Sequence, residues 1–326
     1  MGGGMKMAEL SVIIPFCNEY PQVLFTVQDI AQELRDRVDF EVIAINNYCQ
    51  EVKDQKREED KGYEALLASQ RGNPWLKVLK YDEKLSHWQA KNLGVRESTG
   101  KFLWFCDAHC IVSRDSLFRM YEYYRDHHEE LNGTLHLPLT YKILEWHKLI
   151  YKLVANVETG EIHYSFTPYR PAETPYKVPC MSTCGMMMTR DIYDELGGWP
   201  TEFGIYGGGE NFINFTLAVL GKSVNIFPAD PLFHHGEKRG YHYNGDDYTR
   251  NRTIATYMFG GEDLAKRFMA HRRGDPTILQ GILADALKKT KPHRELIKGK
   301  QKLSIEDWLI CAVNTPMASY EDSSTR

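Results

Sequence analysis

The first 110 residues alternate short apolar runs with longer stretches in which apolar residues recur every three or four positions. Leu10 to Pro15 is a β-branched run that stops at a proline, which predicts a strand. Over residues 20–37, Val23, Val27, Ile30, Ala31 and Leu34 share one face at helical spacing. Phe40 to Ile45 predicts a second strand, residues 51–70 a charged helix, and Trp75 to Leu79 a third strand. A helix over 87–98 and an apolar strand from Lys101 to Cys106 complete the alternation. Strands separated by helices imply an α/β fold, a mostly parallel sheet flanked by helices and built from right-handed βαβ units.

The second half is less regular. Gly160, Pro168, Pro171, Pro175 and Pro179 make residues 157–179 read as a long loop. Met181 to Thr189 predicts a strand, Asp191 to Leu196 a short helix, and Leu196 to Pro200 a turn. Gly207 to Gly209 leads into Glu210, Asn211 and a helix through Leu220, followed by a strand from Ser223 to Phe227. Residues 234–250, rich in His, Gly, Tyr and Asp, read as a mobile loop, and the pattern is helical from 251 onward. The expected organisation is a flexible lead (1–8), an α/β domain (9–260), a helical basic C-terminal appendage (261–318) and a polar tail (319–326).

Composition narrows the class. Of 326 residues, 42% are hydrophobic and 26% charged, which fits a globular chain with a sizeable core. No apolar run approaches the roughly 18 residues needed to cross a bilayer. The opening MGGGMKMAEL lacks the apolar centre of a secretion signal. No membrane insertion and a cytoplasmic location are therefore expected. The seven cysteines show no compact framework; Cys106 with Cys110 and Cys180 with Cys184 lack the spacing of zinc knuckles and read as structural thiols. Leu264 to Leu303 holds eleven Lys or Arg against three acids. A solvated helical face is the ordinary reading of such a segment, and a dock for a polyanion such as DNA is the functional one.

Three predicted strands end in polar residues: Pro15-Phe16-Cys17-Asn18-Glu19, Asn46-Asn47 and Asp107-Ala108-His109. Ligands of parallel sheets gather at the carboxyl ends of the strands. In an extended turn Asp107 and His109 point the same way, so a carboxylate and an imidazole can face one ion. That pair suits Mn²⁺, and Mg²⁺ less specifically. A lone D-x-H is more often a capping Asp beside a surface His, but His234-His235, after another strand-like segment, offers a third ligand.

These residues resemble the GT-A glycosyltransferases, and among them the polypeptide N-acetylgalactosaminyltransferase family with family-2 features. Ser11 to Glu19 resembles the first strand and nucleotide loop, Trp104 to Cys110 the D-x-H-C metal motif, and Leu196 to Pro200 with Tyr206 to Asn211 the acceptor-side glycine block. His234 to Arg239 falls where the distal metal histidine and basic loop would lie. The resemblance covers about 10–260. It implies a GT-A catalytic domain using a nucleotide sugar, with UDP the first choice, to pass a hexose or N-acetylhexosamine to a hydroxyl. Asp107, His109 and one of His234 or His235 would hold Mn²⁺ or Mg²⁺. Glu210 and Asn211 would serve the reacting centre, and Lys238 and Arg239 would cover the diphosphate. Pro15, Phe16, Asn18, Glu19, Asn46 and Asn47 would hold the nucleoside. Asn46-Asn47 replaces the usual acidic pair, and Asn211 stands where inverting relatives carry a basic Asp, which points to retention. The acceptor is open: hydroxymethylated DNA bases, protein Ser/Thr or a glycan. A non-catalytic nucleic-acid-binding module is the reading from another class. Trp199 is read as a site residue beside the glycines, and Trp88, Trp104 and Trp146 as core.

Overall fold

The computed structural model describes residues 7–142, 144, 147–236 and 239–314; Trp146 and the polar tail lie outside them. Its first half follows the predicted alternation: β1 (Leu10–Phe16), α1 (Gln22–Leu34), β2 (Phe40–Asn46), α2 (Gln50–Asp54), α3 (Gly62–Gln70), β3 (Leu76–Lys80), α4 (His87–Arg96) and β4 (Phe102–Phe105). All five apolar residues of the α1 stripe are buried. The single helix expected over 51–70 is two. Lys56 takes a left-handed conformation between them, in a charged run with nothing to bury.

The second half continues with β5 (Cys110–Ile111), α5 (Ser116–Leu131), β6 (Gly133–His136), β7 (Leu139–Thr140), β8 (Leu149–Asn156), β9 (Glu161–Pro168), β10 (Tyr176–Val178), β11 (Met186–Thr189), α6 (Arg190–Leu196), α7 (Gly209–Val219), β12 (Ser223–Ile226) and β13 (Leu232–His234). Three long C-terminal stretches are helical: α8 (Gly245–Ala270), α9 (Pro276–Lys300) and α10 (Ile305–Asn314).

Eight strands form the main sheet in the order β10-β12-β6-β11-β4-β1-β2-β3. The half from β4 to β3 is wholly parallel, whereas β11 runs antiparallel to both β4 and β6. From β1 the chain steps outward through β2 and β3, then returns to place β4 on the other side of β1. That reversal opens a crevice beyond the carboxyl ends of β1 and β4, the usual binding edge of such sheets. A second sheet, β5-β13-β7-β8-β9, stands over this edge.

Two expectations need correction. Residues 161–168 are not loop: β8 and β9 pair through eight consecutive residues. Pro168 is tolerated because β9 is the edge strand, where a missing N–H costs no ladder bond. Residues 245–250, expected to be mobile, are the first turns of α8. The Asn244 side chain caps them by accepting the Asp247 N–H at 2.7 Å. The C-terminal helices pack onto the sheet domain, with Leu264, Ala286, Ile297, Ile305 and Leu309 in the same core as Trp104 and Phe212. Among the described residues no helix is long and apolar enough to cross a membrane.

His136, at the end of β6, is fully buried and held in its neutral form. Its Nδ1–H donates to the Ser182 carbonyl at 3.0 Å, and the Thr134 hydroxyl donates to Nε2 at 2.8 Å. Burial pushes its pKa from 6.5 down to about 3. Below pH 6.5 the unfolded chain therefore binds a proton that the folded chain refuses, and stability falls as pH drops toward 3. The slope from this residue is about 1.4 kcal/mol per pH unit. Replacing His136 with Asn is expected to flatten the decline of Tm between pH 6 and 4.5; an unchanged slope in scanning calorimetry would show that His136 titrates normally.

Candidate functional site

A cleft of about 490 Å³ lies at the crevice, walled by the ends of β1 and β4, by α4, by the β8–β9 hairpin and by the start of α7. Its centre is the turn after β4. Asp107 Oδ2 lies 3.1 Å from His234 Nε2, and His234 Nε2 lies 3.3 Å from His109 Nε2. The two imidazoles meet edge to face, with centroids 4.6 Å apart. Strand alternation settles which histidine of the pair enters the cleft. His234 closes β13 facing Asp107, while His235 shares the other face with Phe233 and stacks on it at 5.8 Å. Placing His235 at the site is therefore corrected.

The groups around this trio orient it. Glu19 Oε1 accepts from His109 Nδ1 at 2.6 Å, which fixes the ring and turns Nε2 toward His234. Burial disfavours a charged His109, but the hydrogen bond and charge of Glu19, with the charge of Asp107, outweigh it and lift the pKa to about 9. Burial alone would raise Asp107, yet Lys91 and the two histidines hold it well below the usual carboxylate range. Lys91 Nζ sits 3.6 Å from Asp107 Oδ1 and is only 1% exposed. Its ammonium rests 4.9 Å from the Trp88 ring centroid and 5.7 Å from that of Trp199.

A tight glycine turn delivers α7 to the cleft. Gly207 and Gly208 have φ of 81° and 76°, which side chains rarely adopt. Gly209 is required for space instead, since a methyl there would fall inside the Trp88 indole. The turn sets Glu210 and Asn211 against the cleft. Burial raises the Glu210 pKa, and Thr183 Oγ1 donates to its Oε1 at 3.4 Å. The Asn211, Trp88 and Tyr164 side chains line the cleft, while Asn211 Nδ2 and Trp88 Nε1 themselves are enclosed and have no hydrogen-bond partner.

The other expected residues divide. Pro15, Phe16 and Glu19 line the cleft, as does Arg239, whose guanidinium lies 4.3 Å from the Tyr206 centroid while Nη1 donates to Tyr241 OH at 3.1 Å. Lys238 lies outside the described residues. Asn18 does not line the cleft: its amide braces the neighbouring loop, donating to the Glu58 carbonyl at 2.8 Å and accepting the Asp60 N–H at 3.0 Å. Asn46 accepts the Tyr48 N–H at 2.9 Å and donates to Glu59. Asn47 borders the cleft, but its amide bonds the carbonyls of Tyr81 and Lys84 at 2.9 Å and the Ser86 N–H at 2.8 Å. All three asparagine amides bond local structure, and of the three Asn47 alone borders the cleft. The tryptophans are also exchanged: Trp199 is core, and Trp88 forms the wall.

Sequence reading missed Lys91, His87 and the hairpin residues His163, Tyr164, Ser165 and Phe166. Lys91 carried a signal, since it falls three residues after Trp88 and four before Val95, on the apolar face of α4. His87 is half-buried, and desolvation with the nearby Lys91 charge lowers its pKa well below 6.5.

Comparison with known proteins agrees with this architecture. Polypeptide N-acetylgalactosaminyltransferase 11 of Xenopus tropicalis is 24% identical over 241 residues, 70% of this chain and 38% of that protein. The chain thus spans well under half the length of the curated relative it matches. The crystal structure of GalNAc-T7 with UDP, GalNAc and Mn²⁺ superposes with a TM-score of 0.62 at 17% identity, covering 92% of this chain and 59% of that one. The mannosyltransferase PcManGT from Pyrobaculum calidifontis, in complex with GDP-Man and Mn²⁺, gives 0.50 at 15% identity, covering 98% and 88%. At these identities the structures speak for the GT-A fold alone. Residues 11–197 match the family model "Glycosyl transferase family 2", so the chain belongs to that family, with a fold close to the polypeptide N-acetylgalactosaminyltransferases.

Proposed function

We propose that this protein transfers a sugar from a nucleotide donor to a hydroxyl acceptor with the help of a divalent ion. The observation that carries the reading is the meeting of Asp107 and His109 at His234, whose Nε2 lies 3.1 Å from Asp107 Oδ2 and 3.3 Å from His109 Nε2, in a cleft at the switch point of the sheet. The donor set fits Mn²⁺: one carboxylate and two imidazoles with their ring nitrogens turned inward, and a carboxylate behind one imidazole to fix its orientation. When bound, such an ion neutralises charge on the diphosphate leaving group. Lys91 and Arg239 are the two Lys or Arg side chains on the described lining, and they supply the remaining positive charge. The side chains of Asn211, Trp88 and Tyr164 would border the sugar.

UDP as the nucleotide, and a hexose or N-acetylhexosamine as the sugar, follow the named relatives. With Asn46 and Asn47 already engaged, the base would be held by Phe16 and the surrounding loops instead. Retention rests on Asn211, whose amide cannot accept a proton. A product of inverted configuration, read by proton NMR, would instead make Glu210 the base. On the acceptor side Tyr164, Phe166, Tyr243 and Tyr248 give a neutral aromatic wall, which suits a glycan or peptide hydroxyl. Of the eleven basic residues of 264–303, Arg267 pairs with Glu306, Arg272 stacks on Phe268, and Arg294 donates to the carbonyls of Tyr257 and Met258, whereas Lys288, Lys291 and Lys298 are exposed.

Two variants and a donor screen test this reading. Hydrolysis of UDP-sugars should depend on added Mn²⁺. Substituting His234 with Ala should weaken metal activation about 100-fold, and His235→Ala should stay within about threefold of wild type. Equal effects of the two substitutions would remove His234 from the metal site.

A further inference from the structure

Behind the cleft lies a second donor cluster of different chemistry. Cys106 follows β4, Cys110 opens β5 and Cys184 precedes β11, so three separate parts of the chain bring their sulfurs to one point. The three ligand atoms lie within 4.8 Å of one another, and Cys110 Sγ is 3.4 Å from Cys184 Sγ. All three side chains are at most 2% exposed, and none is in a disulfide. The grouping cuts across the sequence pairs: Cys110 partners Cys184, not the next cysteine along the chain.

We propose that Cys106, Cys110 and Cys184 form a thiolate site for Zn²⁺, separate from the carboxylate–imidazole site in the cleft. A zinc–sulfur bond of about 2.3 Å in tetrahedral geometry sets the sulfurs about 3.8 Å apart, close to the spacing here. Donor type sorts the ions: three sulfurs select a soft, thiophilic ion, whereas Asp107 with two imidazoles accepts Mn²⁺. Cys184 stands between the two sites, since its sulfur is also within 4.8 Å of ligand atoms of Asp107 and His234. The fourth zinc position therefore faces the cleft. Binding would release the thiol protons to solvent and tie the end of β4 to β5 and to the approach of β11. Asp107 and His109 sit on the chain between two of these sulfurs, so the same ion would brace the cleft site from behind.

The test is metal content and spectroscopy, independent of transferase activity. Full-length protein purified without chelator from zinc-supplemented medium should contain about one zinc per chain by mass spectrometry. Exchange with Co²⁺ should give an intense thiolate-to-cobalt charge-transfer band. Asp107→Asn should keep both the zinc and the band even though it disables the cleft site, so the two readings fail separately. Cys106→Ser should lose both, while Cys180→Ser, whose sulfur lies outside the cluster, should keep them. Zinc-free wild-type protein with all thiols free and no cobalt–thiolate band would overturn the proposal, and so would a band that disappears in Asp107→Asn.

Discussion

Replacing Asp107 with Asn is expected to cut sugar transfer about 1000-fold, equivalent to about 4 kcal/mol of transition-state stabilisation. The substitution keeps the shape of the side chain and removes its charge. It takes one oxygen donor from the proposed ion and leaves Lys91, 1% exposed and 3.6 Å away, without its counter-charge. A buried cation without a partner is costly, so a modest fall in stability should accompany the loss. The two effects separate experimentally: circular dichroism and melting establish the fraction folded, and turnover is then compared at a temperature where both proteins are native. Turnover within tenfold of wild type would remove Asp107 from the reacting centre.

The second large effect lies in the glycine turn. Gly209→Ala should lower stability by about 2–3 kcal/mol, because the new methyl must displace the Trp88 ring in a packed wall. Trp88 is 2% exposed and packs on Trp199 at 5.6 Å, so it has little room to yield. The cheaper relaxation moves the start of α7, and with it Glu210 and Asn211. A displacement near 1 Å at a reacting centre costs about 100-fold in rate. Gly209→Ala is thus expected to lose activity even where it is fully folded, whereas Gly281→Ala, at an open position on α9, should lose none. Equal activity of the two folded variants would show that the turn does not position the site.

How far the sequence foretold this molecule follows from what each segment buries. The parallel half was legible because β1, β2 and β4 are covered on both faces and α1 on one, so their periods are undiluted. The β8–β9 hairpin was not. Its outer strand β9 is the sheet edge, part of the hairpin faces the open cleft, and Pro168 is tolerated because it lies on that edge. The residues of the Asp107 cluster divide in the same way. Asp107 and His109 were legible from their place just after a buried strand. Choosing His234 over His235 required the register of β13 against β5, where a shift of one residue reverses the face. The asparagines misled for a different reason: an amide at a strand end bonds loops as readily as ligands, and here three do so. Lys91 went unread because a lysine on an apolar helix face is normally a long stem reaching solvent.

The central claim is that Asp107, His109 and His234 hold an ion that grips the donor diphosphate. Calorimetric titration of UDP into the full-length protein, first with Mn²⁺ and then with EDTA, tests it most directly. UDP should bind with Mn²⁺ present and lose at least about tenfold in affinity, or about 1.4 kcal/mol, when the metal is removed. Equal affinity in the two titrations would contradict it.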